Sequence, residues 1–307
     1  MKPKVIVIVG PTASGKTALS IELAKKIDGE IVSCDSMQIY KDMDIGSAKP
    51  SLEEMQDIKH YMIDIASPEE RFSVAEYKKQ AEYAIEEILS EGKMPIVVGG
   101  TGLYADSLIY GIEYPKIEFD ENYREELEKQ AETEEGLKDL YDKAKEIDEQ
   151  AIEKISKNDK KRIIRILEIY HQTGKTKTEL EVESRKNEVK YDFKVFAINM
   201  DRQILYDRIN KRVDLMIENG LIQEVENLLK KYNEFPTAMQ GLGYKEVVEY
   251  LNSELTKEEM IDKIKQETRR YAKRQLTWFR KNKETIWLDG LANVQNNIDV
   301  ILSIFND

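Results

Sequence analysis

One eight-residue stretch constrains this chain more than any other. Gly10-Pro11-Thr12-Ala13-Ser14-Gly15-Lys16-Thr17 fits the spacing G-x-x-x-x-G-K-[ST]. It lies between the β-branched run Val5–Val9 and a segment, Lys16–Ile27, in which Leu19, Leu23 and Ile27 recur at helical period. A buried strand, a glycine-rich turn and a helix in that order curl the backbone so that successive N–H groups converge on one spot. The positive end of the helix dipole faces the same spot. Such a loop suits a ligand that carries phosphate. Lys16 would supply a point charge to the terminal phosphate, and the Thr17 hydroxyl is placed to bind Mg²⁺.

The flanking pattern predicts the rest of the architecture. A short strand over Glu30–Cys34 ends at Asp35, a helix follows over Val74–Leu89, and a buried strand over Pro95–Val98 ends in Gly99-Gly100. Strands alternating with helices imply an α/β fold, a P-loop NTPase-like parallel sheet flanked by helices, with ligands at the carboxyl ends of the strands. Near Pro115 the character changes. From there to about Val189 no β-like run occurs, and Glu121–Lys145 and Asp159–Tyr170 read as amphipathic helices. Lys194–Met200 then reads as a strand again. The expected organisation is a core of residues 1–114 and 191–307 interrupted by an all-helical insertion of residues 115–190. Arg202–Phe305 reads as mostly helical, with turns at Gly220, Pro236 and Gly241-Leu242-Gly243.

Composition narrows the class. In 307 residues, 41% hydrophobic and 35% charged content predicts a soluble globular protein, not a disordered chain. The longest apolar run, Val5–Val9, is far short of the roughly 20 residues of a membrane helix. Met1-Lys2-Pro3-Lys4 shows no small-residue cleavage site, so a cytoplasmic address without membrane contact is expected. The single cysteine, Cys34, excludes a disulfide framework and a Cys-based zinc site, and two histidines, His60 and His171, argue against a His-rich metal centre. Net charge is −12, but it is uneven. Lys116–Glu153 holds 15 acids against 6 bases, whereas Lys154–Lys177 holds 8 bases against 2 acids and Lys263–Lys283 holds 9 against 1. Two basic islands on an acidic chain can steer a polyanion.

Asp35 is the first carboxylate beyond a predicted strand end. It could ligate a metal, act as a general base or cap the following turn. The strand Pro95–Val98, where an NTPase would carry a magnesium-binding Asp, ends instead in Gly99-Gly100-Thr101-Gly102. Five segments then occur in order: the loop of residues 10–17, Asp-Ser-Met-Gln-Ile-Tyr at 35–40, Gly-Gly-Thr-Gly-Leu-Tyr at 99–104, Gly-Leu-Gly-Tyr-Lys-Glu at 241–246 and Lys-Arg-Gln-Leu-Thr-Trp-Phe-Arg at 273–280. Through them the chain closely resembles, almost end to end, the bacterial tRNA dimethylallyltransferases, the IPP transferase family.

That resemblance implies transfer of a dimethylallyl group from dimethylallyl diphosphate to N6 of adenosine 37, just 3′ of the tRNA anticodon, with Mg²⁺ as cofactor. It implies Asp35 as general base and Thr101 as a substrate-contacting threonine. Leaving-group charge would be met by the loop, Lys16, and Arg212 in preference to Arg208 one turn earlier. It further implies tRNA contacts by Asp35, Ser36, Met37, Gln38 and Thr101, by Lys161, Arg162 and Arg165 of the insertion, by Gln240, Gly241, Gly243, Tyr244 and Lys245, and by Lys273, Arg274, Gln275, Trp278 and Arg280. Partners would be the anticodon stem-loop and the prenyl donor, and the working form is expected to be a monomer. Two other readings fit parts of the sequence: a P-loop small-molecule kinase with Asp35 as base, and prenyl transfer to free AMP or ADP. The first leaves residues 241–246 and 273–280 idle, and the second leaves the basic islands idle.

Overall fold

The computed structural model describes residues 2–114, 120–184 and 188–306. The chain forms two compact units, one made of Met1–Ile109 with Lys190–Asp307 and the other of Tyr110–Val189. The boundary expected at Pro115 lies outside the described residues.

The first unit opens with β1 (Lys4–Val9), α1 (Lys16–Ile27), β2 (Gly29–Cys34), a short α2 (Leu52–Met55), β3 (His60–Tyr61), α3 (Val74–Ser90), β4 (Met94–Gly99) and α4 (Gly102–Ile109). Side chains of β1 are buried on both faces of the sheet: Val5, Val7 and Val9 join one apolar cluster with α3 and α4, while Ile6 and Ile8 join another with α1. That double burial explains why the run is continuous and not alternating. A capping box of Ser73 and Glu76 fixes the start of α3.

The second unit is all helical: α5 (Glu121–Gln130), α6 (Glu134–Ile147), α7 (Glu149–Ile152), α8 (Lys160–Thr173) and α9 (Lys177–Ser184). The single helix expected over Glu121–Lys145 is two. Thr133 accepts the backbone N–H of Gly136 and starts a new helix, a local capping signal that overrides the continuous charge pattern. Helix α8 runs as read from sequence, capped by Asp159 and anchored by Ile163, Ile164, Ile166 and Leu167. Its cations Lys160, Lys161, Arg162 and Arg165 are exposed.

The first unit resumes with β5 (Asp192–Asn199), α10 (Arg202–Glu218), α11 (Leu221–Lys231), α12 (Tyr244–Leu251), α13 (Lys257–Phe279), β6 (Ile286–Asp289) and α14 (Val294–Asn306). The six strands are all parallel, in the order β3-β2-β4-β1-β5-β6. Both edge strands escape the sequence reading. β3 has two residues, too few to show a period, and β6 sits inside a stretch of helical character. In the centre, Gly99 of β4 aligns with Val9 of β1 on one side and with Cys34 of β2 on the other. The loop after β1, the residue after β2 and the turn after β4 therefore emerge side by side at one sheet edge.

Candidate active site

The loop of residues 10–17 carries its sequence signature into geometry. Gly15 has φ +91° and sits at the amino end of α1, a conformation that a side chain disfavours. Lys16 turns back, its Nζ donating to the carbonyl of Pro11 at 2.7 Å. Arg212, from α10, donates through Nη1 to Thr12 Oγ1 at 3.2 Å. Arg208 is exposed one turn away, so of the two candidate cations Arg212 is the one that reaches the loop. The Ser14 hydroxyl is buried without a hydrogen-bond partner, a polar atom in want of an acceptor or donor.

Asp35 faces this loop from the end of β2. Its Oδ1 accepts the backbone N–H of Met37 at 2.9 Å, so the carboxylate does cap its own turn, one of the three roles open from sequence. Burial pushes its pKa above the ordinary carboxylate value, opposed by the Met37 N–H and by the charges of Lys16 and Arg212. The same burial, with repulsion from Arg212, pushes Lys16 down to about 7. Arg212 is also lowered, first by burial. A carboxylate and two cations share poorly solvated space, the arrangement by which sites tune protonation.

Thr101 staples both flanks of Asp35. Its backbone N–H donates to the Cys34 carbonyl at 3.1 Å, and its Oγ1 accepts the Ser36 N–H at 3.0 Å. Close approach here requires glycine: a Cβ on Gly99 would lie 1.9 Å from the Cys34 carbonyl oxygen. Cys34 itself is fully buried, and its thiol is pushed up to about 12 by that burial, which fits a small core residue and not a nucleophile.

A cavity of about 390 Å³ joins these groups, bounded by Lys16, Asp35, Arg212 and Arg274 and by an apolar stretch that includes Ile31, Ile63, Val98 and Met216. Met37, Gln38, Gln240, Gly241 and Gly243 also line it. Residues grouped on sequence as RNA contacts thus fall into three settings. Lys161, Arg162, Arg165, Lys245, Lys273 and Arg280 are exposed. Ser36, Met37, Gln38, Thr101, Gln240 and Arg274 stand at or beside the cavity. Tyr244, Gln275 and Trp278 are committed to protein contacts: Tyr244 is fully buried and donates to Glu224 at 2.8 Å, and Trp278 Nε1 donates to Asp106 at 2.9 Å. Gln275 borders the cavity as well, but it is 5% exposed and its amide spans two loops, so its side chain is turned away from the basic face of α13. Helical spacing places residues on a stripe but does not tell which side of the stripe meets the core.

Sequence reasoning missed two parts of this site. His60, which in the sequence served only to argue against a His-rich metal centre, borders the cavity; burial lowers its pKa, and its Nδ1 is paired with the Ile58 carbonyl. Glu224 accepts the backbone N–H groups of Asp44, Ile45 and Gly46 at 3.0, 2.7 and 3.1 Å, fixing a cavity wall. The run Asp44-Ile45-Gly46-Ser47-Ala48 carries no pattern that announces such a clamp, and the acid lies some 180 residues away.

Fold and site together define a parallel α/β protein in which the cation-lined loop of residues 10–17 faces a partly buried carboxylate across one cavity. The IPP transferase family model matches residues 38–282. Over 98% of both chains the protein is 54% identical to a tRNA dimethylallyltransferase of Acetivibrio thermocellus. Its structure is similar to a tRNA isopentenylpyrophosphate transferase of Bacillus halodurans, with 41% identity, 99% and 97% coverage and a TM-score of 0.74. It is similar also to a eukaryotic dimethylallyltransferase acting on tRNA, with 31% identity and a TM-score of 0.80, covering 99% of this chain and 80% of that one. The chain belongs to the IPP transferase family.

Proposed function

We propose that this protein transfers the dimethylallyl group of dimethylallyl diphosphate to N6 of adenosine 37 in the tRNA anticodon loop. The observation that carries the reading is Asp35, a partly buried carboxylate held by its own turn and facing a phosphate loop with two cations. The N6 lone pair of adenine is delocalised into the ring, so attack needs proton removal as the bond forms. In the proposed step N6 bonds to C1 of the dimethylallyl group, the C1–O bond breaks, the N6 proton passes to Asp35, and diphosphate leaves. Lys16, Arg212 and the loop N–H groups stabilise the negative charge that grows on the diphosphate. Thr101 keeps the backbone on either side of Asp35 in place. The adenosine must leave its stack to reach a cavity of this kind.

The residues fit a magnesium ion bound chiefly through its substrate. Thr17 borders the cavity, and the unpartnered Ser14 hydroxyl lies in the same loop, whereas no cluster of three His, Cys, Asp or Glu occurs among the described residues. When bound, Mg²⁺ would neutralise diphosphate charge, held by Thr17.

Recognition of the anticodon arm is assigned to the exposed cations of α8 and α13. Lys160, Lys161 and Arg162 occupy the first turn of α8, where they oppose the helix dipole; the N-cap Asp159 pairs with Arg162 at 3.5 Å, and the first turn itself holds no acid. Cations at the positive end of a helix suit a phosphate partner. Among the described residues no helix is long and apolar enough to cross a membrane.

The assay that tests the reading is incubation with Mg²⁺, labelled dimethylallyl diphosphate and either anticodon stem-loop RNA or AMP. Label is expected in the RNA; transfer only to AMP, or none to either, would replace it. A second measurement bears on the basic islands. Changing Lys273 and Arg280 to Glu is expected to raise the KM for tRNA and to flatten the log–log salt dependence of binding by roughly two units, at a little under one per phosphate contact. The KM for the prenyl donor should not move. An unchanged slope and affinity would return α13 to the role of a solvated helix face.

A further inference from the structure

The side chain of Gln275 joins two loops of the site. From α13 its Oε1 accepts the backbone N–H of Thr12 at 2.9 Å, and its Nε2 donates to the carbonyl of Gly100 at 2.9 Å. An amide side chain can accept at one atom and donate at the other, which a carboxylate or an aliphatic side chain cannot. The fit is tight: a Cβ on Gly100 would come within 2.2 Å of Nε2.

Each end of this bridge leads to a reacting group. Thr12 opens the phosphate loop, and its Oγ1 receives Arg212. Gly100 precedes Thr101, which binds both the Cys34 carbonyl and the Ser36 N–H, the two peptide groups that flank Asp35. Thr12 N–H is spent on Gln275, leaving the inner loop N–H groups to face a ligand. We propose that Gln275 is a positioning residue: one buried amide sets the distance between the phosphate loop and the turn that carries Asp35, and so between the leaving diphosphate and the proton acceptor. It acts through Thr12 and Thr101, since both polar atoms of its amide are committed to protein backbone. Tyr271, Arg274 and Gln275 itself border the cavity, so the bridge also ties α13 to both loops at the cavity wall.

The inference deepens the proposed transfer reaction and rests on it for its rate readout. Gln275→Leu, which keeps the volume and loses both hydrogen bonds, is expected to lower the single-turnover rate about 10²-fold, the scale of a misplacement near 1 Å. Donor affinity should stay within about threefold, because the phosphate-facing N–H groups are not those it holds. Gln275→Glu should behave like Gln275→Leu, since its carboxylate places an acceptor against the Gly100 carbonyl. If Gln275→Leu fails to fold, Gln275→Asn, one methylene too short to span the gap, takes its place.

Two readouts separate positioning from plain stability. In an Asp35→Asn background the same change should cost less than about threefold, since residues that act as a unit are not additive. Hydrogen exchange should quicken in the peptide of residues 34–38, which Gln275 does not touch, as well as in residues 10–17. A wild-type rate in Gln275→Leu or Gln275→Glu, an additive loss in the Asp35→Asn background, or unchanged exchange at residues 34–38 would overturn the proposal. A wild-type protein that transfers nothing to RNA would sink the function instead, while the exchange result would still decide the bridge.

Discussion

Asp35→Asn is expected to lower the single-turnover rate of dimethylallyl transfer by about 10²–10⁴-fold, the contribution of a positioned general base. The substitution is nearly isosteric. An amide oxygen can still accept the Met37 N–H that caps the turn, so the fold and the cavity should persist. What is lost is a group able to take the N6 proton. The measurement is a single-turnover time course with saturating donor and stem-loop RNA, beside a thermal melt and a donor-binding titration. A wild-type rate would remove Asp35 from the base role and leave it as a turn cap. The raised pKa of Asp35 adds a direction to the same experiment. The base is active when ionised, so the rate should fall as pH drops through a value above that of an ordinary carboxylate. Asp35→Asn should abolish that limb.

Lys16→Ala is expected to weaken binding of dimethylallyl diphosphate and to slow transfer about 10²–10³-fold, the usual loss when one preorganised charge is removed from a developing anion. Affinity for stem-loop RNA should hold, since Lys16 faces the loop and not the exposed cations. The sign of a linked proton effect follows from its depressed pKa. Free Lys16, at about 7, is mostly neutral above pH 7, and a bound diphosphate would restore its charge. Donor binding at pH 8 should therefore take up a proton in the wild type. Calorimetry in buffers of different ionisation enthalpy would detect it, and the uptake should shrink in Lys16→Ala. Equal proton uptake in both would assign the coupling to another group, and a collapse of RNA affinity would break the division of labour between loop and islands.

The parts of this molecule legible in sequence were those whose physics is local. Val5–Val9, the loop to Thr17 and α1 announce themselves because strand, turn and helix signals adjoin. Asp35 was visible as a charge at the end of an apolar run. Helix α8 was visible because its inward Ile and Leu residues recur at one period. The failures share a different cause. The break at Thr133 needed one hydroxyl to outweigh a uniform charge pattern. The bridge by Gln275 joins residues 263 and 175 positions apart, and the clamp by Glu224 joins residues nearly as distant. No window along the chain contains both ends of either. The turn at Gly99-Gly100-Thr101 shows the boundary well: the glycines mark a tight place, but only β-sheet register reveals that Cys34 is what presses on it.

The strand order has a consequence for how the protein is made. Central strand β1 is flanked by β4 and by β5, and β5 lies beyond the whole helical unit. A ribosome thus releases β1, β2 and β4, then all of Tyr110–Val189, before the second neighbour of β1 exists. The helical unit closes its contacts within about eighty residues, whereas the sheet must wait for pairings of far greater sequence separation, which form slowly. The nascent chain therefore exposes one open edge of β1, with its row of unpaired N–H and C=O groups, for the time it takes to synthesise the interruption. The most apolar strand of the molecule is also the one left longest without its partner, which makes this interval the point in biogenesis where a chaperone would matter most.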